Sequence, residues 1–157
     1  MFIIHSVKDK DLTYLFYDIG VTSNHNINWS NPSSMSVTTD STGTLITNST
    51  NNNNYFFVIS QNKQFNPPFI IEFDIVNYTG NCIIRVGGNN SADRYFSALT
   101  ITGDNHVKIE VNNNKIVYKV DGVISYTNNN FTGGTSYISF IVNNGSLKYH
   151  NFQIYTS

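Results

Sequence analysis

Between Phe69 and Tyr155 the chain alternates apolar and polar residues in short runs separated by clusters of Asn and Gly. In Phe69-Ile70-Ile71-Glu72-Phe73-Asp74-Ile75 every odd position is apolar, and two of the three even ones are carboxylates. A period of two sets one face of a strand in a core and the other in water. The runs CIIRV, YFSALTI, HVKIEV, KIVYKV, VISY, SYISFIV and LKYHNFQIY repeat the pattern. Upstream, Leu12 to Asp18 (LTYLFYD) and YFFVIS fit strands, and MSVTTD and TLITNS flank Ser41-Thr42-Gly43 as a hairpin.

The punctuation is as informative as the strands. Asn51 to Asn54 reads as a loop, because Asn tolerates left-handed backbone and competes for ladder hydrogen bonds. Pro67-Pro68 blocks a strand, since neither residue can donate to a ladder. Asp121-Gly122, between KIVYKV and VISY, predicts a tight type I′ turn with positive φ at both central residues. The one helical candidate is a turn near Asp93. About a dozen short strands with a turn every eight to twelve residues or so predict an all-β, two-sheet sandwich or barrel. Phe69, Ile71, Phe73, Ile75, Ile84, Ile109 and Phe140 are expected in one core.

Composition narrows the function classes. At 157 residues the chain is expected to form a single domain over 1–157, a module of a larger polypeptide or virion, with a core that needs no staples. One cysteine, Cys82, excludes an intramolecular disulfide framework. A net charge of -1 gives no electrostatic case for a nucleic-acid partner. No apolar run approaches the ~20 residues of a membrane span, so membrane insertion is not expected. Polarity rests on amides and hydroxyls: there are 25 Asn, and only 12% of residues are charged. AT-rich coding explains that bias without any functional meaning, but such neutral surfaces also suit extracellular or virion-surface proteins, the expected location. Met1-Phe2-Ile3-Ile4-His5 is too short for a signal peptide. The six Asn-x-Ser/Thr sequons match chance for this composition and carry no weight.

FIIEFDIVN, the meander HVKIEV-NNN-KIVYKV-DG-VISY and the closing LKYHNFQIY together resemble concanavalin-A-like (laminin-G-like) jelly rolls over Phe69 to Tyr155, with Leu12 to Asp18 expected beside the last strand. The resemblance implies an antiparallel jelly-roll sandwich. This superfold hosts lectins, carbohydrate-binding modules, glycanases and viral tail or fibre adhesins, so fold alone does not decide function. Some members hold a structural calcium on loop oxygens. Here no dense Asp run stands in for such a loop, and no other cofactor is expected.

Glu72-Phe73-Asp74-Ile75-Val76-Asn77 is similar to the E-x-D-x-x-E strand of retaining jelly-roll glucanases. That mechanism needs two carboxyl groups about 5 Å apart, one of them an acid/base. Asn77 stands in the acid/base position, and an amide cannot protonate a leaving group. Catalysis is therefore not expected. Cys82, in an apolar strand, reads as a buried small hydrophobe. His5, His25, His106 and His150 show no metal-ligand spacing, and Asp93, Asp104 and Asp121 read as turn residues.

A glycan-binding face remains. Sugars are recognised by fixed hydrogen-bonding groups and planar aromatic faces on preformed surfaces. Alternation sends Ile84, Leu99, Ile101, Val107, Ile109 and Val111 inward, and predicts an opposite face with Glu72, Asp74, Arg85, Phe96, Thr100, Lys108 and Glu110, Lys119 nearby. Arg85, a lone Arg in an apolar strand, is the expected orienting donor. Asp74 and Glu72 are the expected acceptors, Lys108 a further contact, and Tyr95 or Phe96 the stacking surface, with Trp29, Tyr78 and Arg94 on loops above. The blander reading is that most of these aromatics pack in the core.

The expectation is a non-catalytic carbohydrate- or cell-surface-binding module whose partner is a glycan or host surface polymer. It fits the receptor-binding domain of a viral tail or fibre, or a surface adhesin. Weak single sites imply several copies, on one particle or as a homo-oligomer. The rival is a purely structural virion or surface decoration domain contacting protein subunits, with a glycanase a distant third. An exposed aromatic beside Arg85 favours binding, whereas an apolar patch at a sheet edge or face favours protein contact.

Overall fold

The computed structural model describes residues 13–18, 35–51, 55–59, 65–87, 96–131 and 137–156. These form ten strands and, among the described residues, no helix. They are β1 (Thr13–Asp18), β2 (Met35–Asp40), β3 (Gly43–Asn48), β4 (Tyr55–Ile59), β5 (Phe69–Gly87), β6 (Phe96–Ile101), β7 (His106–Val111), β8 (Ile116–Val120), β9 (Val123–Asn128) and β10 (Tyr137–Thr156). The predicted turn near Asp93 and the loop at 52–54 lie outside the described residues.

All pairings are antiparallel, and the architecture is a jelly-roll sandwich. Its axis is the β5–β10 pair, two strands of 19 and 20 residues whose register runs from Ile70↔Tyr155 to Gly87↔Tyr137. Each merges two runs that the sequence pattern separates: FIIEFDIVN with CIIRV, and SYISFIV with LKYHNFQIY. The Asn and Gly between them do not end the strands. They bend the pair, with Asn77 at φ 54°, Asn144 at φ 47° and Gly80 at φ 79°. Asn and Gly adopt this left-handed region at least cost.

Beyond the bend the ladder doubles back over itself. The Phe73 ring, in the first half of β5, meets the Phe140 ring, in the first half of β10, at 5.5 Å and 89°. Phe140 in turn stacks on Tyr149 of its own strand at 5.3 Å. One layer therefore contains β1, β2, β3, the second half of β10, the first half of β5, β7, β8 and β9. The other contains β4, the first half of β10, the second half of β5 and β6. All seven expected core residues lie in the shared core. β1 pairs with the end of β10, from Thr13↔Thr156, as expected. The β2–β3 hairpin also forms as expected, Asp40 Oδ1 accepting from the amides of Thr42 and Gly43. Asp121 and Gly122 carry φ of 50° and 80°, the signature of the predicted I′ turn. Cys82 is buried, and burial pushes its thiol up to about 12, which suits an unreactive core residue.

Candidate functional site

The bend separates the residues that alternation alone puts together. Glu72, Asp74, Lys108, Glu110 and Lys119 lie on the outer face of the β7 layer, where Glu72 pairs with Lys108 and Ile70 with Glu110 across the β5–β7 ladder. Arg85 and Thr100 lie on the outer face of the other layer, opposite Ala98 and Ser139, and Ile83, respectively. The core lies between the two sets, so the single predicted face is two faces. Phe96 pairs with Gly87 in β6, but its side chain, with Trp29, Arg94 and Tyr95, lies outside the described residues. Tyr78 sits in the β5 bend, packed against the core with its hydroxyl donating to Gly80 O at 2.6 Å.

The sharpest constellation is on the β7 layer, around a residue absent from the predicted set. His106, the first residue of β7, lies between both carboxylates: Nδ1 is 2.7 Å from Asp74 Oδ1 and Nε2 is 2.8 Å from Glu72 Oε1. Two carboxylate partners suit an imidazolium donating from both nitrogens. Partial burial opposes that charge, but the hydrogen bonds and charges of Asp74 and Glu72 outweigh it and raise the pKa. The arrangement is braced on every side. Tyr155 donates its hydroxyl to the other Glu72 oxygen, and Asn151 Nδ2 donates to Asp74 Oδ2 at 3.1 Å. The His106 amide donates to Asp121 Oδ1 at 2.8 Å, while Asn105 holds Asp121 Oδ2. Asp121 thus does the turn chemistry expected of it, with its carboxyl held below the ordinary range by the His106 amide and Asn105. Lys108 has no ion-pair partner among the described residues, which leaves its ammonium available.

A second histidine flanks Asp74 from the other side, since His150 is its partner across the β5–β10 ladder. The β2–β3 turn closes over His150, where Lys148 Nζ donates to Asp40 Oδ2 at 2.9 Å and to Thr42 Oγ1 at 2.6 Å. His150 Nε2 is buried without a hydrogen-bond partner among the described residues. Burial first, then the nearby Lys148 charge, lowers its pKa, with Asp74 and Asp40 opposing.

These opposite shifts predict a stability maximum near pH 6.5, the usual unfolded-state value for His, about which both histidines turn. The raised pKa of His106 gives stability that is complete below about pH 6.5 and is lost as pH rises through the folded value. The depressed pKa of His150 gives stability that is complete above about pH 6.5 and is lost as pH falls through its folded value. Thermal midpoints of His106→Gln should lack the alkaline decline, and those of His150→Gln the decline just below neutrality. A His106→Gln profile that keeps the wild-type alkaline limb would refute the assignment.

At the other end of this face, past Glu72, the surface dips into a shallow depression of about 420 Å³. Pro68, Ile70, Glu110, Asn112 and Thr156 line it. An apolar floor with a carboxylate, an amide and a hydroxyl at its margin is the mixed lining that small polar ligands with apolar faces require. Among the described residues, no group of three or more His, Cys, Asp or Glu is placed to hold a metal ion.

No family model matches the sequence, and no curated protein matches it. Solved structures do. A candidate glycosyl hydrolase from Parabacteroides distasonis superposes with a TM-score of 0.63 at 10% identity, over 92% of this chain and 98% of that one. The carbohydrate binding module CBM66 from Bacillus subtilis gives 0.54 at 12% identity, over 83% and 92%. A Bacillus subtilis protein of unknown function with a galectin-like fold gives 0.52 at 8%, over 77% and 86%. At these identities the likeness establishes the fold alone, a jelly-roll sandwich.

Proposed function

We propose that this chain is a non-catalytic carbohydrate- or cell-surface-binding module that takes its ligand along the outer face of the β7 layer, from the Asp74–His106–Glu72 cluster to the Glu110 depression. The observation that supports it most is the preformed polar cluster on a rigid strand face, braced from β5, β7 and β10 and continuous with a partly apolar dip. A carboxylate has about four lone-pair sites, so Glu72 and Asp74, though held by His106, Tyr155 and Asn151, can still accept from sugar hydroxyls. Lys108 and Asn112 donate. Hydrogen bonds net only about 0.5–1.5 kcal/mol each, or about 1.5–3 to charged groups, and solvent on an open face competes for them, so a dissociation constant of about 0.1–1 mM per site is expected.

A glycanase is disfavoured for the same reasons as in the sequence. Asn77 occupies the acid/base position and lies at the bend, and His106 ties the two carboxylates together. The finer setting we favour is an adhesin on a virion or outside the cell, such as a viral tail or fibre domain. A structural module that contacts protein subunits is the second reading, favoured by the exposed Val123, Ile124 and Tyr126 of β9, the last strand in its sheet order.

The test is a glycan array or a pull-down on cell-wall material with a multimerised domain, comparing wild type with Glu72→Gln/Lys108→Ala and with Arg85→Ala. Loss of at least tenfold in the double variant, with Arg85→Ala unaffected, supports the proposed face. Loss in Arg85→Ala alone moves the site to the opposite layer, where the sequence pattern first put its donor. No binding to any glycan or envelope leaves the structural module.

A further inference from the structure

One edge of the sandwich carries apolar surface that the proposed glycan site does not use. β9 ends the sheet order β2-β3-β10-β5-β7-β8-β9 and pairs, among the described residues, with β8 alone. Val123, Ile124 and Tyr126 are 70, 61 and 44% exposed, and they are the exposed large hydrophobics of the described residues. All three fall within this one six-residue strand. Singly exposed apolar residues are ordinary, but a cluster on an unpaired strand edge is the arrangement that recruits another strand.

We infer that β9 is a self-association edge, where two copies of this chain pair β9 to β9 antiparallel and join their sheets. Charge selects a second copy as the occupant. From Gly122 to Leu147 the sequence holds no charged residue and no proline, so the edge lacks the Lys and Pro that keep monomeric sheet proteins apart. A neutral strand meets its own copy with no like-charge repulsion, whereas it offers nothing to attract a charged partner. The pairing pattern is also self-complementary. Val123 sits opposite Val120 and Tyr126 opposite Tyr118, with a register shift between Tyr118 and Lys119, so Val123 and Tyr126 share the core-side face. A two-fold axis between Ile124 and Ser125 then sets Val123 of each copy beside Tyr126 of the other, an isologous contact.

Antiparallel pairing through a two-fold axis normal to the sheet keeps the same face of both copies on one side. Seven strand spacings separate one β5 from the other across such a dimer. At about 4.8 Å each they place the two Glu72 clusters about 34 Å apart, both facing the same way. This consequence rests on the carbohydrate reading; the pairing itself does not, and its test needs no glycan.

Sedimentation velocity over a concentration series decides it. The contact is at the small end of specific interfaces, so the wild-type chain should pass from monomer to dimer around 10–100 µM. Val123→Lys/Ile124→Lys should raise the dissociation constant at least tenfold. Its thermal midpoint at low concentration should match wild type, since both residues are exposed. A wild-type chain that stays monomeric to about 0.5 mM, or a double variant that dimerises as before, overturns the inference. Recruitment of an extended peptide by a chain that remains monomeric overturns it too.

Discussion

Replacing Phe73 with alanine should lower the unfolding free energy by about 3–5 kcal/mol, against a typical domain stability of about 5–15 kcal/mol. Phe73 closes a ring of four aromatics. It stacks on Phe152 at 5.2 Å and meets Phe140 edge-on, Phe140 stacks on Tyr149, and Tyr149 meets Phe152 at 5.6 Å. All four are buried, and they come from both layers and both long strands. Truncating one ring opens a cavity that rigid strands cannot close, and removes two aromatic contacts worth about 0.5–1.5 kcal/mol each beyond area burial. Urea unfolding of Phe73→Ala and Phe73→Leu checks this, with the leucine losing less than the alanine. A loss below about 1.5 kcal/mol for the alanine would mean the two layers do not share this core.

The second large effect lies at the bend. A methyl group on Gly145 would sit 2.1 Å from Thr79 O and 2.7 Å from the Gly80 Cα, and one on Gly80 would meet Asn144 O at 2.5 Å. These are backbone atoms held by the β5–β10 ladder, so neither side can give way cheaply. Gly145→Ala should destabilise by more than about 3 kcal/mol, or fail to accumulate folded protein. Gly122→Ala is the informative comparison, because no atom lies within 4 Å of its added Cβ and only its φ of 80° opposes the change. That costs about 1–2 kcal/mol. Gly145 has no left-handed φ of its own, so a loss at Gly145→Ala no larger than that at Gly122→Ala would show that the ladder relieves the close approach by shifting.

What the sequence makes legible follows from periodicity. Strict alternation in FIIEFDIV and HVKIEV identifies which residues face the core, and every apolar position so assigned in Phe69–Ile75 and His106–Val111 is buried except the outward Ile70. Alternation counts faces within one strand, however, and cannot report that the strand crosses from one layer to the other. Asn143-Asn144-Gly145 reads as a break between strands because its chemistry is that of left-handed backbone, and Asn77 reads as the end of a strand; the same chemistry, with Gly80, serves a bend with pairing preserved. Alternation therefore groups Arg85 with Glu72, both outward on β5, whereas the bend sets them on opposite faces. His106 was legible as a wet-face residue of HVKIEV. Its place between Glu72 and Asp74 depends on the β5–β7 register, which no local pattern encodes. The apolar VISY was legible as a strand, but its position at the sheet edge was not.

The part played by β10 sets the order in which the molecule can be assembled. Residues 137–156 pair with β1, β3, β4 and β5. Before they are available, and among the described residues, β1 and β4 have no ladder to join, β3 has only its hairpin partner β2, and β5 has only β6 and β7. A nascent chain that stops short of Tyr137 can form hairpins and the β7–β8–β9 meander, but not a closed sandwich. The most distant pairing of β10, Thr156 with Thr13, joins strands separated by nearly the whole described chain. Loop-closure entropy is spent there before packing compensates it, and topologies of this kind fold in milliseconds to seconds or slower. During that interval the apolar faces of β5 and β7 stand open, and so the latest of the ten strands also shields the chain from aggregation.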